Sequence, residues 1–237
     1  MIDLSAVRPD TTEAEVRATA EMARKYRCIC ASTLPGHTPL LVDLLANEPE
    51  IGVSGNVSFP SGGATRSIKI AEARELLQMG CDELDVVINI GLLRSGQYGR
   101  ALDDIKGVVE TAGQVPVKAI LECHYLSDDE IRRACELCIQ AGAAFVKTGT
   151  GWAPTGATLE NVALIKSFVG DAIGIKAAGG IRHLETVKEM YRLGARRFGL
   201  GFRTAAPIWK QCASQSGEAT PGQVCRKRDE LTWDDTS

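Results

Sequence analysis

Long apolar runs are missing from this chain, and with them any segment able to cross a membrane as a helix. No basic stretch followed by an apolar one opens it, so the expectation is a cytoplasmic protein without secretory signal or membrane anchor. An excess of one charge is missing too: 27 basic residues stand against 30 acidic ones, well mixed, for a formal charge of -3. That balance argues against nucleic-acid or polybasic membrane surfaces and favours a small polar metabolite as partner. Histidine is scarce, with three in 237 residues, and no compact Cys/His spacing suggests a metal site. Only Cys30, Cys123 and His124, all expected near one end of the fold, make zinc conceivable.

Cysteine, by contrast, is plentiful. Eight are spread through a chain large enough to fold without staples, which points to reduced core thiols. Cys135 and Cys138 form a Cys-x-x-Cys, but inside a helical stretch rather than at its start, where a thiolate would be stabilised.

Short apolar runs alternate with longer helical ones. Strands are expected at 2–4, 27–32, 51–59, 82–89, 115–122, 143–147, 173–177 and 196–201, with helices between them and a last one from about 204. Thr12 with Glu15, and Ser127 with Glu130, have the spacing of capping boxes, and Gly80, Gly142 and Gly194 mark helix ends. Eight strand and helix units with little polar alternation predict a parallel sheet covered by helices, closed into a (β/α)8 barrel over residues 1–214. A doubly wound open sheet satisfies the same alternation, yet no Gly-x-Gly-x-x-Gly turn follows the first strand. Residues 215–237 are polar and charged and are expected to form a mobile tail.

Three charges interrupt the apolar strands: Asp85 in DELDVVIN, Lys147 in AAFVKTGTG and Lys176 in IGIKAAGG. Burying such groups is costly unless a partner or a task compensates. Side-chain alternation separates Asp85 from Leu84 and Val86, and Lys176 from Ile173 and Ile175; helices cover the outside of a barrel, so the charged sets face inward. Lys147 falls at the C-terminal end of its strand, where barrel active sites assemble. A buried lysine beside another cation loses its proton more readily, and the neutral amine attacks carbonyls. A structural salt bridge from Asp85 to Lys118 or Lys176 would account for the same charges without catalysis. Glycine-rich turns follow two of these strands, Thr148 to Gly151 and Ala178 to Gly180, and offer backbone N–H groups to an oxyanion.

These stretches resemble the deoxyribose-phosphate aldolase family of class I aldolases. The matches are IDLSAVRPDTTEAEV, VSFPSGGATRSIKIAEA, GCDELDVVINIGLLRSGQY, VKAILE with YLSDDEI, AGAAFVKTGTGW, GIKAAGGIR and GARRFGLG, in order over about residues 2 to 205. The resemblance implies a metal-free, cofactor-free lyase that cleaves 2-deoxy-D-ribose 5-phosphate to D-glyceraldehyde 3-phosphate and acetaldehyde and runs the reverse condensation. It implies Lys147 as the Schiff-base lysine, Lys176 as the second lysine that lowers its pKa, and Asp85 as the residue that accepts the C4 hydroxyl proton, through an ordered water. A homodimer or higher homo-oligomer is implied as well.

Several positions depart from the family pattern. The serine pair that follows the eighth strand in the family, and binds the substrate phosphate, is replaced by Gly201 and Phe202, leaving backbone N–H groups and a compensating charge from Arg203 as the expected contacts. Lys-Thr-Ser-Thr-Gly reads Lys147, Thr148, Gly149, Thr150, Gly151; Glu-Thr-Cys reads Glu122, Cys123, His124; and Cys-Val-Asn-Pro reads Cys30, Ala31, Ser32, Thr33. The substrate contacts expected are therefore Thr150, Gly151, Gly179, Gly180, Gly201, Phe202 and Arg203, with Cys30 and Lys118. A related aldolase acting on a different, unphosphorylated sugar fits these changes, as does, more distantly, a non-catalytic sugar-phosphate binder. Trp152 is placed either to wall the pocket or to cover core.

Overall fold

A computed structural model describes residues 1–216; of the tail expected over 215–237, the first two residues end the last helix and the rest, with Cys225 and Trp233, lies outside the described residues. Eight parallel strands close into one barrel in sequence order: β1 (Ile2–Ala6), β2 (Cys30–Thr33), β3 (Gly52–Val57), β4 (Glu83–Val87), β5 (Val117–Ile120), β6 (Phe145–Lys147), β7 (Gly174–Ala178) and β8 (Arg197–Gly201). The ring shuts where Asp3 of β1 pairs with Gly199 of β8. The open doubly wound alternative is thereby excluded.

Around it run α1 (Glu13–Tyr26), α2 (Thr38–Leu45), α3 (Arg66–Gln78), α4 (Ile90–Arg94), α5 (Tyr98–Ala112), α6 (Asp128–Ala141), α7 (Leu159–Val169), α8 (Leu184–Arg192) and α9 (Phe202–Ser216). Local chemistry sets their ends. Both capping boxes form, Thr12 with Glu15 and Ser127 with Glu130, satisfying amides that the first turn of a helix leaves open. Gly142 closes α6 in the left-handed conformation. Outward strand residues such as Leu84, Val86, Ala119 and Val146 are buried completely beneath the helices.

Four differences from the sequence expectation matter for the site. Strand β3 stops at Val57 rather than at 59, because Ser58 turns to φ +53° and its N–H donates to Glu72 Oε2 at 2.6 Å. Strand β5 stops at Ile120 and Glu122 takes φ +54°, which aims its side chain across to the β6 loop. The short helix α4 had no periodic signature; Asn89 caps it by accepting from the Leu92 N–H at 3.0 Å. Helix α9 starts at Phe202, directly on β8, so no free loop separates strand from helix there.

The seven described cysteines are all unbridged, and six of them are buried. Burial pushes the Cys135 thiol up to about 12 and the Cys138 thiol above its ordinary value, which makes this pair an inert part of the α6 core. Trp209 stacks flat on Tyr26, ring centroids 3.9 Å apart, as packing. Among the described residues no helix is long and apolar enough to cross a membrane.

Candidate active site

Strand register sets the site. Asp85 lies beside Lys118 on the β4–β5 ladder, and Lys147 beside Lys176 on the β6–β7 ladder. Their side chains meet inside the barrel. Asp85 Oδ2 accepts from Lys147 Nζ at 2.7 Å and from Lys176 Nζ at 2.8 Å; Asp85 Oδ1 accepts from Lys118 Nζ at 2.8 Å and from Ser54 Oγ at 3.0 Å. The two lysine nitrogens thus share one oxygen.

The set does not end with those four residues. Lys176 Nζ is also 2.7 Å from Asp3 Oδ2, an ion pair off the hydrogen-bonding direction, since that oxygen has no hydrogen-bond partner. Arg197 binds Asp3 Oδ1 at 2.7 Å and grips both carboxylate oxygens of Glu83 at 3.0 and 2.8 Å. Lys118 reaches Glu83 Oε2 at 2.6 Å. One continuous network therefore joins three anions (Asp3, Glu83, Asp85) to four cations (Lys118, Lys147, Lys176, Arg197). A closed interior holding one cation too many is relieved by losing one proton.

Lys147 is the group that gives it up. Burial drives its pKa down, Asp85 resists, and the Lys176 and Lys118 cations add to the fall, leaving it at about 8. Burial is the largest of these causes, and repulsion from Lys176 acts in the same direction. Burial acts downward on Lys176 as well, but Asp3 and Asp85 outweigh it, and its pKa rises above the ordinary lysine value. Burial would raise Asp85; Lys118, Lys147 and Lys176 together hold it well below the usual carboxylate range. One amine of lowered pKa thus shares a carboxylate oxygen with one whose pKa is raised.

Asp3, Glu83 and Arg197 escaped the sequence reading. Their signal was available: each is a charge in a strand whose other face is apolar, the rule that singled out Asp85.

A cavity of about 310 Å³ opens over the C-terminal ends of the strands. Lys147, Lys176 and Asp3 line it, with Ser5, Ser32 and Asn56 along one wall. Thr150, Gly151, Gly179, Gly180, Gly201, Phe202 and Arg203 all border it. Gly179 and Gly180 have φ of +95° and +82°, so the turn after β7 is one that side-chain-bearing residues rarely adopt. Arg203 is already engaged: its guanidinium pairs with Glu15 at 2.7 Å and with Asp10 at 3.2 Å.

Cys30 and Lys118 do not border the cavity. Both are fully buried, Cys30 beside Asp3 and Lys118 beside Asp85 in the strand register. Asp85 too is absent from the lining, closed off by the lysines it binds. Trp152 and Phe59 meet edge to face at 6.1 Å and form a cavity wall. His124 is exposed at the rim, its Nδ1 2.7 Å from Thr155 Oγ1, and is not part of that wall. Among the described residues no three His, Cys, Asp or Glu side chains gather as a metal-holding group.

Above the network, Glu122 is buried and accepts from the Thr150 N–H at 3.2 Å and from the Thr150 hydroxyl. This carboxylate pins the turn that follows Lys147. A Cβ on Gly149 would come within 2.7 Å of Glu122 Oε1, so glycine at that position makes the contact possible.

A closed parallel barrel with a buried lysine of lowered pKa at its C-terminal cavity has the arrangement that imine chemistry requires. Residues 7–210 match the model of the DeoC/LacD family of aldolases, and the chain belongs to that family. It is 48% identical over 202 residues to a deoxyribose-phosphate aldolase of Klebsiella pneumoniae, covering 84% of this chain and 81% of that one. Another from Sinorhizobium medicae is 48% identical over 217 residues, covering 92% and 88%. Among solved structures, an aldolase designated QR15 superposes with a TM-score of 0.84 at 34% identity, over 90% of this chain and 95% of its own. A deoxyribose phosphate aldolase from Aeropyrum pernix, described as having a unique tetrameric structure, gives 0.81 at 28% identity over 92% and 90%.

Proposed function

We propose that this protein is a class I aldolase that cleaves 2-deoxy-D-ribose 5-phosphate to D-glyceraldehyde 3-phosphate and acetaldehyde, and catalyses the reverse addition. The observation that carries the reading is the single Asp85 oxygen shared by Lys147 and Lys176 at the floor of the cavity. It supports distinct roles for two chemically identical side chains.

In this reading the neutral Lys147 amine adds to the C1 aldehyde of the open-chain sugar. Loss of water gives an iminium. Its positive nitrogen accepts the electron pair of the breaking C3–C4 bond, so the two-carbon fragment remains as an enamine while C4 leaves as an aldehyde and its hydroxyl proton departs. Asp85 takes no proton from substrate directly, being shut off from the cavity and held well below the usual carboxylate range. Lys176 borders both the cavity and Asp85 and stays an ammonium, so it orders the water that takes up that proton and supplies it to the enamine carbon in the next step. Protonation of the enamine carbon and hydrolysis then release acetaldehyde and restore the amine.

The phosphate end of the substrate fits the backbone N–H groups of Gly179, Gly180, Gly201 and Phe202, the last two at the start of α9. A sugar phosphate is a dianion that does not cross a bilayer unaided, which favours action in the cytoplasm. Self-association, a dimer or larger, is the expected solution state and is read by light scattering.

Borohydride reduction in the presence of acetaldehyde tests the chemistry: a two-carbon adduct on Lys147 supports it, and protein left unmodified by acetaldehyde and by the sugar refutes it. The substrate is tested separately, by comparing cleavage of deoxyribose 5-phosphate with that of deoxyribose. A preference for the unphosphorylated sugar overturns the substrate while leaving the imine mechanism intact.

A further inference from the structure

Two arginines that line the cavity, Arg8 and Arg182, are used by none of the chemistry above, and only Arg8 is braced on an aromatic ring of the cavity wall. Arg8 lies just beyond β1, borders the cavity, and holds its guanidinium 5.6 Å from the centre of the Trp152 ring. A guanidinium over an indole face is attracted by the ring quadrupole and loses freedom as it settles there. The ring itself is fixed, because the Trp152 indole N–H donates to the Val7 carbonyl at 2.9 Å, one residue before Arg8. The backbone is fixed as well: the Arg8 N–H donates to Thr11 Oγ1 at 3.2 Å and the Thr11 N–H returns to the Arg8 carbonyl at 3.1 Å.

What the guanidinium lacks is an anion. Arg203, the rim arginine expected from sequence to meet the phosphate, is neutralised by Asp10 and Glu15. Arg8 makes no ion pair with any described carboxylate. A preorganised, unpaired guanidinium at the edge of a cavity is suited to a bidentate oxyanion. Gly201 and Phe202 carry no side-chain hydroxyl, so a phosphate at that end of the cavity has acceptor capacity left for a guanidinium.

We propose that Arg8, braced on Trp152, is a phosphate anchor of this enzyme and sets its preference for phosphorylated over free sugar. The inference rests on the deoxyribose 5-phosphate reading, and its test separates the two. Steady-state cleavage of deoxyribose 5-phosphate and of deoxyribose is measured for the wild type, Arg8→Met, Arg8→Lys and Arg203→Met, with borohydride trapping of acetaldehyde as a check on the imine.

The expected result is a KM for the phosphate ester raised about 10- to 100-fold in Arg8→Met, the scale of losing one charge-assisted contact. Cleavage of deoxyribose and the acetaldehyde adduct should stay at wild-type levels. Arg8→Lys should recover part of the loss, since it keeps the charge but not the fork, and Arg203→Met should move KM less than Arg8→Met. An Arg8→Met enzyme with an unchanged KM for the phosphate ester, or with both sugars affected alike, overturns the anchor alone. A wild type that forms the imine yet shows no preference for the phosphorylated sugar overturns the substrate reading and the anchor with it.

Discussion

Two lysines on neighbouring strands of one barrel meet opposite fates. Lys118 on β5 and Lys147 on β6 are both buried, and both donate to Asp85. Burial presses down on each, yet Lys118 ends above the ordinary lysine value and Lys147 at about 8. The difference lies in what each is given. Lys118 has one oxygen of Asp85 and one of Glu83 close at hand; Lys147 has one oxygen, already shared with Lys176. Depth alone does not make an amine reactive. The local count of carboxylates against cations decides which buried lysine keeps its proton.

The sharpest way to break this comparison is to remove each lysine in turn. Lys147→Ala should lower kcat/KM by roughly 10⁴-fold or more and abolish the borohydride adduct, because no other group supplies the covalent step. Lys118→Met should keep the adduct at Lys147 but cost about 3–5 kcal/mol of stability in urea unfolding, the scale for leaving one side of a buried ion pair unpaired. An adduct that appears on Lys118 would reverse the assignment.

A finer test changes the count and leaves both lysines. Glu83→Gln removes one of three anions from the network, so the surplus of cations grows and the pKa of Lys147 should fall. The acid limb of the rate of imine formation should move to lower pH by about one unit, close to tenfold at the foot of the limb. In the wild type that rate should climb through pH 8 and level off above it. A profile that moves upward in Glu83→Gln would sink the charge-count account.

The smallest effect is on stability as a function of pH. The folded pKa of Lys147, about 8, lies below its ordinary value of 10.5, so between those limits the unfolded chain binds a proton that the folded one does not. Folding stability should therefore rise with pH through that window on account of this group, by on the order of 3 kcal/mol. Comparing urea unfolding of wild type and Lys147→Met at pH 7.5 and pH 10 isolates the term: the wild type should gain on the variant at the higher pH.

Much of the frame was legible in the residues. The eight alternating units, the two capping boxes and the inward parity of Asp85, Lys147 and Lys176 all follow from period and composition. What stayed hidden depends on contacts between distant segments. Arg203 carries the right charge at the right end of the barrel, and only the fold shows that Asp10 and Glu15 occupy it. Cys30 and Lys118 are fully buried and do not border the cavity, which no single strand reports. Glu122 was noted only as part of a motif; its grip on Thr150 needs the φ +54° turn that ends β5 early.

The ion network runs from Asp3 on the first strand to Arg197 on the last, 194 positions apart. While a ribosome is still extending the chain, those groups remain hydrated and Lys147 is an ordinary solvated ammonium, almost wholly protonated at neutral pH. Only arrival of the final strand seals them from water. The lowered pKa of Lys147 is in this sense a property of the closed ring, since the burial that causes it depends on β8 joining β1.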